Sequence, residues 1–405
     1  MTTASKAVDT DNAIAAQDAP ANRLVALVAE GQSIWLDFIS RELVRGGELR
    51  RLIEQDGLRG MTSNPSIFEK AIAAGDVYDQ QMAQLARQGK TAGEIFEALS
   101  VQDVREACDL FRPLYDESSG LDGVVSLEVS PNLAHDTRGT LIEARRLWAA
   151  VDRPNVLIKV PGTDAGVPAV QQLLTDGINV NITLLFSIRN HERVMEAYLA
   201  ALEARVSRGQ PINRLASVAS FFVSRVDTLV DKLLGERIER AQQSGDAARE
   251  LRLRELLGRA AIANAKLAYA GFREIFGSER FARLVAHGAS VQRPLWASTS
   301  VKNPAYRDVL YVEELIGPDT VNTLPLDTIR AFQEHGTVAP TLDQGLDDAR
   351  ATLQALGDEA DIDFEAVTRQ LEAEGVALFA HAYDELLAGV DKKRQHMQEP
   401  SWWPE

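Results

Sequence analysis

A single cysteine, Cys108, stands among 405 residues. That excludes an internal disulfide and fits a reducing, cytoplasmic setting. Its neighbours Val104, Ala107 and Phe111 place it on the apolar side of a helix, as a core residue rather than a nucleophile. The histidines His135, His191, His287, His335, His381 and His396 are scattered without ligand spacing, so no metal site is expected. No strand candidate is followed by a GxGxxG loop, which argues against a dinucleotide cofactor. No apolar run is long enough to span a bilayer. Residues 1 to about 21 are polar and rich in Ala and Asp, without the basic-then-apolar order of a secretory signal, and are read as the body of a disordered leader over 1–24. Positive charge is also short. Lys and Arg number 43 against 59 Asp and Glu, a net charge of -16. A general attraction to nucleic acid or an anionic membrane is therefore not expected, and any bound phosphate needs local cations.

What the chain has in quantity is alternation. Short β-type runs alternate with longer helical patterns, the sign of βα units and a parallel sheet. The runs fall at 34–39, 60–64, 124–129, 155–160, 178–186, 216–223, 294–299 and 320–324. Between them, Thr91 with Glu94 forms a capping box, and Ser187 opens a long helix through Leu202. Eight such units in about 300 residues predict a (β/α)8 TIM barrel over 25–330. Beyond Ala331 the periodicity is helical only, at 342–356 and 364–387, which predicts a C-terminal helical extension over 331–405 packed on the barrel. The Trp402-Trp403 tail has no pattern that places it.

The most informative residue is Lys159, in the apolar run Asn155-Val156-Leu157-Ile158-Lys159-Val160-Pro161. A lysine on an edge strand can bury its stem and keep its head wet. Inside a buried strand the ammonium ion is costly, whereas a free amine there can attack a carbonyl. Strand periodicity gathers further polar residues on the same inward side. Asp37 opposes Leu36 and Phe38. Ser126 and Glu128 alternate with Val125, Leu127 and Val129. Asn181 and Thr183 alternate with Val180, Ile182 and Leu184, while Ser220 and Phe222 come from the sixth run and Asn64 ends the second. Taken singly, each has a structural explanation: a helix cap for Asp37 or Asn64, a structural partner of Lys159 for Glu128, a satisfied core group for Asn181 or Thr183. Burying all of them in one barrel costs stability unless they serve chemistry, and barrel active sites lie at the C-terminal strand ends, where these residues cluster.

The segments Gly60-Met61-Thr62-Ser63-Asn64-Pro65-Ser66-Ile67-Phe68, Ser126-Leu127-Glu128-Val129, Ile158-Lys159-Val160-Pro161 and Ile178–Ser187 together resemble the transaldolase family, in order, over about residues 30 to 330. The longer bacterial form, with an extended C-terminus, is the most similar. The resemblance implies a class I aldolase barrel that forms a Schiff base and uses no metal or cofactor. On matching positions it implies Lys159 as the amine, Glu128 as proton shuttle through a water oriented by Thr183, and Asp37 as base at the C4 hydroxyl. Asn64, Asn181 and Ser220 would line the sugar. Arg225 and Ser298 match phosphate ligands. The shorter family members carry an arginine close behind that serine, whereas this chain has Lys302, slightly displaced. The implied partners are sugar phosphates, with no nucleic acid or membrane, and the expected assembly is a monomer or homodimer. The nearest alternative is a fructose 6-phosphate aldolase releasing free dihydroxyacetone. Those relatives carry tyrosine at the position of Phe222 and glutamine at that of Glu128, so both residues here favour group transfer. A non-catalytic barrel scaffold is the alternative of another class, and the intact Asp37, Glu128 and Lys159 set argues against it.

Overall fold

The computed structural model describes residues 22–397 except residue 74. Eight parallel strands close into one ring in chain order: β1 (Gln32–Asp37), β2 (Gly60–Thr62), β3 (Val124–Glu128), β4 (Val156–Pro161), β5 (Val180–Leu185), β6 (Ser217–Phe222), β7 (Arg293–Ala297) and β8 (Thr320–Leu324). Pairing of β1 with β8, Gln32 opposite Thr320 through Leu36 opposite Leu324, closes it. This is the (β/α)8 TIM barrel expected from the alternation, with helices packed around it. Its strands read as nearly continuous apolar runs because both faces are covered.

Strand ends differ from the sequence reading for identifiable reasons. β1 starts two residues earlier than expected, since Gln32 and Ser33 pair with Thr320 and Val321. Gln32 is polar yet fully buried, its Nε2 donating to the Leu315 carbonyl at 2.6 Å and to Thr320 Oγ1 at 3.0 Å. β1 also stops at Asp37, because Ser40 caps the next helix by accepting from Leu43 N. β2 stops at Thr62, since Asn64 takes the cap of the Pro65–Ala73 helix, Oδ1 accepting from Ile67 N at 3.1 Å. In β5 the register shifts between Ile182 and Leu185, and Leu184 sits at φ 61°, a left-handed conformation rare for leucine. The capping box at Thr91 and the Ser187 cap are both present, the second opening a helix over Ile188–Ser207.

At the N-terminal ends of the strands, Arg293 bonds Ser33 Oγ at 2.7 Å and pairs with Asp122 at 3.1 Å. Above it, Trp35 fills the lumen. Gly60 lies against its ring, and a β-carbon there would come within 2.7 Å of ring atoms. With that end filled, access is left to the C-terminal strand ends.

Of the leader read over 1–24, residues 1–21 lie outside the described residues, and Arg23–Ala29 is a helix capped by Asn22. Residue 331 falls inside the Leu326–His335 helix that follows β8. Beyond it lie two helices, Leu346–Asp358 and Phe364–Met397, the second ten residues longer than its periodicity suggested. The longer one crosses the C-terminal end of the barrel. The Trp402-Trp403 tail is outside the described residues.

Candidate active site

A cavity of about 180 Å³ opens at the C-terminal ends of the strands. Asp37, Asn64, Lys159, Thr183, Ser220, Phe222, Arg225, Ser298 and Lys302 all line it. Glu128 and Asn181 stand behind this wall. The register explains the grouping: Glu128 is level with Lys159, and Lys159 with Asn181, so the three point the same way from adjacent strands.

Lys159 Nζ donates to the Ser63 carbonyl at 3.2 Å and lies 3.1 Å from Glu128 Oε2, with both side chains under a tenth exposed. That contact is an ion pair outside hydrogen-bond geometry. Among the described residues neither Glu128 oxygen has a hydrogen-bond donor, and the buried Thr183 hydroxyl has no partner either. Buried acceptors are normally satisfied, so these atoms stand ready for a substrate or water. Burial raises the Glu128 carboxyl above its ordinary range, against the lowering effect of Lys159. Asp37 is also raised, by burial first, while Lys159 and a hydrogen bond from Thr62 hold it down. Thr62 Oγ1 donates to Asp37 Oδ1 at 2.6 Å and stands 2.7 Å from Thr323 Oγ1, so hydroxyls of β2 and β8 brace the β1 carboxylate. Asn64 Oδ1 is engaged in its cap, leaving its amide nitrogen for the cavity. Asn181 is fully buried, donating to Ser126 Oγ at 3.0 Å and accepting from Ser220 Oγ at 2.7 Å. It supports Ser220 from beneath rather than facing the space.

The opposite wall is cationic. Arg225 is the second residue of the Ser224–Ser244 helix, whose N-terminus carries partial positive charge. Its Nη1 is buried without a hydrogen-bond partner among the described residues, and burial lowers its pKa. Ser298, at φ 56°, pairs hydroxyls with Ser224 at 3.0 Å, and its carbonyl accepts from Ser224 N. Lys302 is exposed and donates to Ser300 Oγ at 2.8 Å. A guanidinium, hydroxyls, an ammonium and the positive end of a helix thus stand on one side, a setting for an anion. Among the described residues no group of three or more His, Cys, Asp or Glu is placed to hold a metal ion. Cys108 is buried in the Ala92–Glu117 helix, where desolvation pushes its thiol pKa up.

Sequence reasoning missed Thr62, Thr323, Ser300 and Phe379. The first three are short polar residues whose roles depend on neighbouring strands or loops. Phe379 comes from the Phe364–Met397 helix, where apolar spacing reads as core; Gly375, four residues earlier inside a long helix, was the available hint of a close approach. A larger groove of about 780 Å³ lies between the Ala92–Glu117 and Thr137–Val151 helices and reaches the end of β3 at Leu127 and Glu128, on the far side from the Lys159 cavity. Its cations are already engaged: Lys90 with Glu94, Arg146 with Glu97, Arg105 with the carbonyls of Ala150 and Val151. Size alone does not make it the reactive site.

Comparison with known proteins identifies the family. The chain is 46% identical over 373 residues to "Transaldolase 2" of Nostoc sp. (strain PCC 7120), covering 92% of this chain and 97% of that protein. It is 48% identical over 362 residues to "Transaldolase" of Parafrankia sp. (strain EAN1pec), covering 89% and 95%. It is 47% identical over 368 residues to "Transaldolase" of Mycolicibacterium smegmatis, covering 90% and 95%. The sequence model "Transaldolase/Fructose-6-phosphate aldolase" matches residues 34–390, so this enzyme belongs to the transaldolase family.

Proposed function

We propose that the protein moves a dihydroxyacetone unit between sugar phosphates through a Schiff base on Lys159. The observation that supports this reading most is the position of that amine. It is buried in β4, faces the cavity, and has one carboxylate at 3.1 Å and a second, Asp37, lining the same space. The Lys159 amine attacks the C2 ketone of a ketose phosphate, giving a carbinolamine. Loss of water then leaves an iminium. Glu128 carries the protons of these steps, with Thr183 holding the water that leaves. Asp37 takes the C4 hydroxyl proton, the C3–C4 bond breaks, and its electron pair moves into the iminium to form an enamine. An aldose phosphate departs. A second aldose phosphate then accepts C3 of the enamine, its new alkoxide takes the proton from Asp37, and water returns to release Lys159. The proposed exchange is sedoheptulose 7-phosphate plus glyceraldehyde 3-phosphate to erythrose 4-phosphate plus fructose 6-phosphate, within the pentose phosphate pathway.

The phosphate is assigned to Arg225, Ser298 and the start of the Ser224–Ser244 helix, with Lys302 as a point charge in place of a second guanidinium. Asn64 and Ser220 are assigned to the sugar hydroxyls, with Asn181 fixing Ser220. Phe222 lines the cavity as an apolar wall, which suits transfer over release. The reaction is placed in the cytoplasm, carried out by a monomer or homodimer; no described helix is long and apolar enough to cross a membrane.

The test is reduction with borohydride during incubation with fructose 6-phosphate. A three-carbon adduct on the Lys159 peptide, and formation of sedoheptulose 7-phosphate only when erythrose 4-phosphate is added, are the expected results. An adduct elsewhere, or none, refutes the assignment.

A further inference from the structure

The barrel strands supply the chemistry, but one wall of the cavity comes from outside the barrel. Phe379, 9% exposed, lines the space from the Phe364–Met397 helix. Its ring centre is 5.5 Å from Lys159 Nζ and 6.0 Å from Arg225 Cζ. Arg225 in turn lies 5.5 Å from the ring of Phe222. The guanidinium is thus near two phenyl rings, and the amine is near one. Simple core packing would surround Phe379 with aliphatic groups. Phe379 packs at the rim of the hydrophobic core, yet the groups its ring meets across the cavity are these two cations.

The helix is fixed in this position. One turn before Phe379, Gly375 lets it settle on the end of β5, where a β-carbon would stand 2.9 Å from Leu184 Cδ2. Leu184 is the residue in the strained, left-handed conformation at the β5 register shift, so the irregular strand end forms the seat of this helix. Asn190 bonds Glu372 at 2.7 Å at one end. At the other, Lys393 donates to the Ile72 and Gly75 carbonyls at 2.9 and 3.1 Å. Between them Tyr383 meets Phe96 edge-on, with ring centres 5.9 Å apart.

We propose that Phe379 is a water-excluding, specificity-determining residue of the active site, favouring capture of the enamine by an aldehyde over its protonation by water. This rests on the Lys159 Schiff-base reading. Two fates compete for the enamine. In transfer, C3 bonds to the aldehyde carbon. In leakage, C3 takes a proton from water, the hydroxide left behind takes the proton held by Asp37, the resulting iminium adds water at C2, and the carbinolamine collapses to free dihydroxyacetone and the Lys159 amine. The added water replaces the one lost when the iminium formed, so leakage needs no other reactant. A phenyl face over the nitrogen disfavours water there while tolerating the iminium charge.

The experiment compares full-length wild type with Phe379→Ala, Phe379→Leu and Val390→Ala. Val390 is buried on the same helix about three turns further on, so its truncation loosens helix packing without changing the cavity wall. Each protein is incubated with fructose 6-phosphate, and free dihydroxyacetone is measured against sedoheptulose 7-phosphate formed with erythrose 4-phosphate. Borohydride trapping on Lys159 is run in parallel. Phe379→Ala is expected to keep the trapped adduct and raise the release-to-transfer ratio about tenfold, or ~1.4 kcal/mol. Phe379→Leu, still apolar, stays close to wild type. Val390→Ala lowers Tm and leaves the ratio unchanged. An unchanged ratio in Phe379→Ala, an equal rise in Val390→Ala, or a Leu variant as leaky as Ala overturns the inference while the Lys159 assignment stands. Absence of any Lys159 adduct in the wild type refutes that assignment, and the role of Phe379 falls with it.

Discussion

Replacing Lys159 with methionine keeps an unbranched chain of similar volume, deletes the ammonium ion, and leaves Glu128 as a buried carboxylate without its cation. The two charged groups stand 3.1 Å apart, with side chains 6% and 4% exposed. At an effective dielectric of about 20, unit charges at that separation attract by about 5 kcal/mol, and removing one member of a buried pair typically costs ~3–5 kcal/mol. Protonation of the carboxyl provides partial relief. Burial already holds Glu128 above the ordinary glutamate value of 4.5 despite Lys159, and losing the cation raises it further. A carboxyl whose folded pKa lies above its unfolded one binds more protons folded than unfolded. The penalty is therefore absent at low pH and grows as pH rises from the unfolded value through the folded one. Near pH 5 the Lys159→Met chain is expected to melt close to wild type. At pH 8 it should be destabilised by about 3 kcal/mol, or roughly 4 °C for a chain of this length. Adding Glu128→Gln removes the buried charge and should restore most of that loss without restoring activity. The assay is thermal melting of the four proteins of the double-mutant cycle at both pH values, alongside transfer activity and borohydride trapping. Equal destabilisation at the two pH values, no relief from Glu128→Gln, or any trapped adduct in Lys159→Met would refute the reasoning.

Other consequences are as direct. Asp37 must be ionised to act as base, so kcat/KM should fall as pH falls through its raised pKa; Thr62→Val removes a hydrogen bond that favours the ionised form and should move this acid limb to higher pH. A pH profile with an unmoved limb would count against Asp37. Arg225→Ala is expected to lower kcat/KM for phosphorylated donors by about 10- to 100-fold, the worth of lost hydrogen bonds to a charged group, and to affect an unphosphorylated ketose far less. Equal losses with both donors would assign Arg225 to the fold instead. Phe222→Tyr should increase free dihydroxyacetone from fructose 6-phosphate without acceptor, because a phenol can relay a proton to the enamine. Activity is expected to survive exhaustive chelation, since the iminium is the electron sink; loss with EDTA and recovery with a divalent ion would contradict this.

Much of the site was legible because strands carry a period of two. Once Lys159 was placed in β4, the same alternation set Glu128, Thr183 and Ser220 on the inward face. Fold class followed from eight repeats of one unit. What stayed hidden depends on geometry that no local pattern contains. Thr62 and Thr323 are 261 residues apart, and only ring closure makes them neighbours around Asp37. Asn181 looked like a cavity residue by alternation, yet both ends of its amide are occupied beneath the surface. Strand starts were misplaced at Gln32 because a buried polar residue satisfied by Leu315 and Thr320 looks like loop in sequence. Phe379 belongs to a helix whose apolar stripe gives no sign that one of its positions faces cations.

The seam between β1 and β8 also bears on how such a protein is made. Gln32 and its partner Thr320 are 288 residues apart, so a ribosome must release nearly the whole barrel before the first strand can find its neighbour. Asp37 is braced through Thr62 by Thr323, a residue of that last strand. A nascent chain that has completed β4 therefore has Lys159 but not the finished setting of Asp37, the proposed base. The proposed reactivity toward sugar phosphates is thereby tied to closure of the ring, and a fragment that stops short of β8 lacks the brace that completes it.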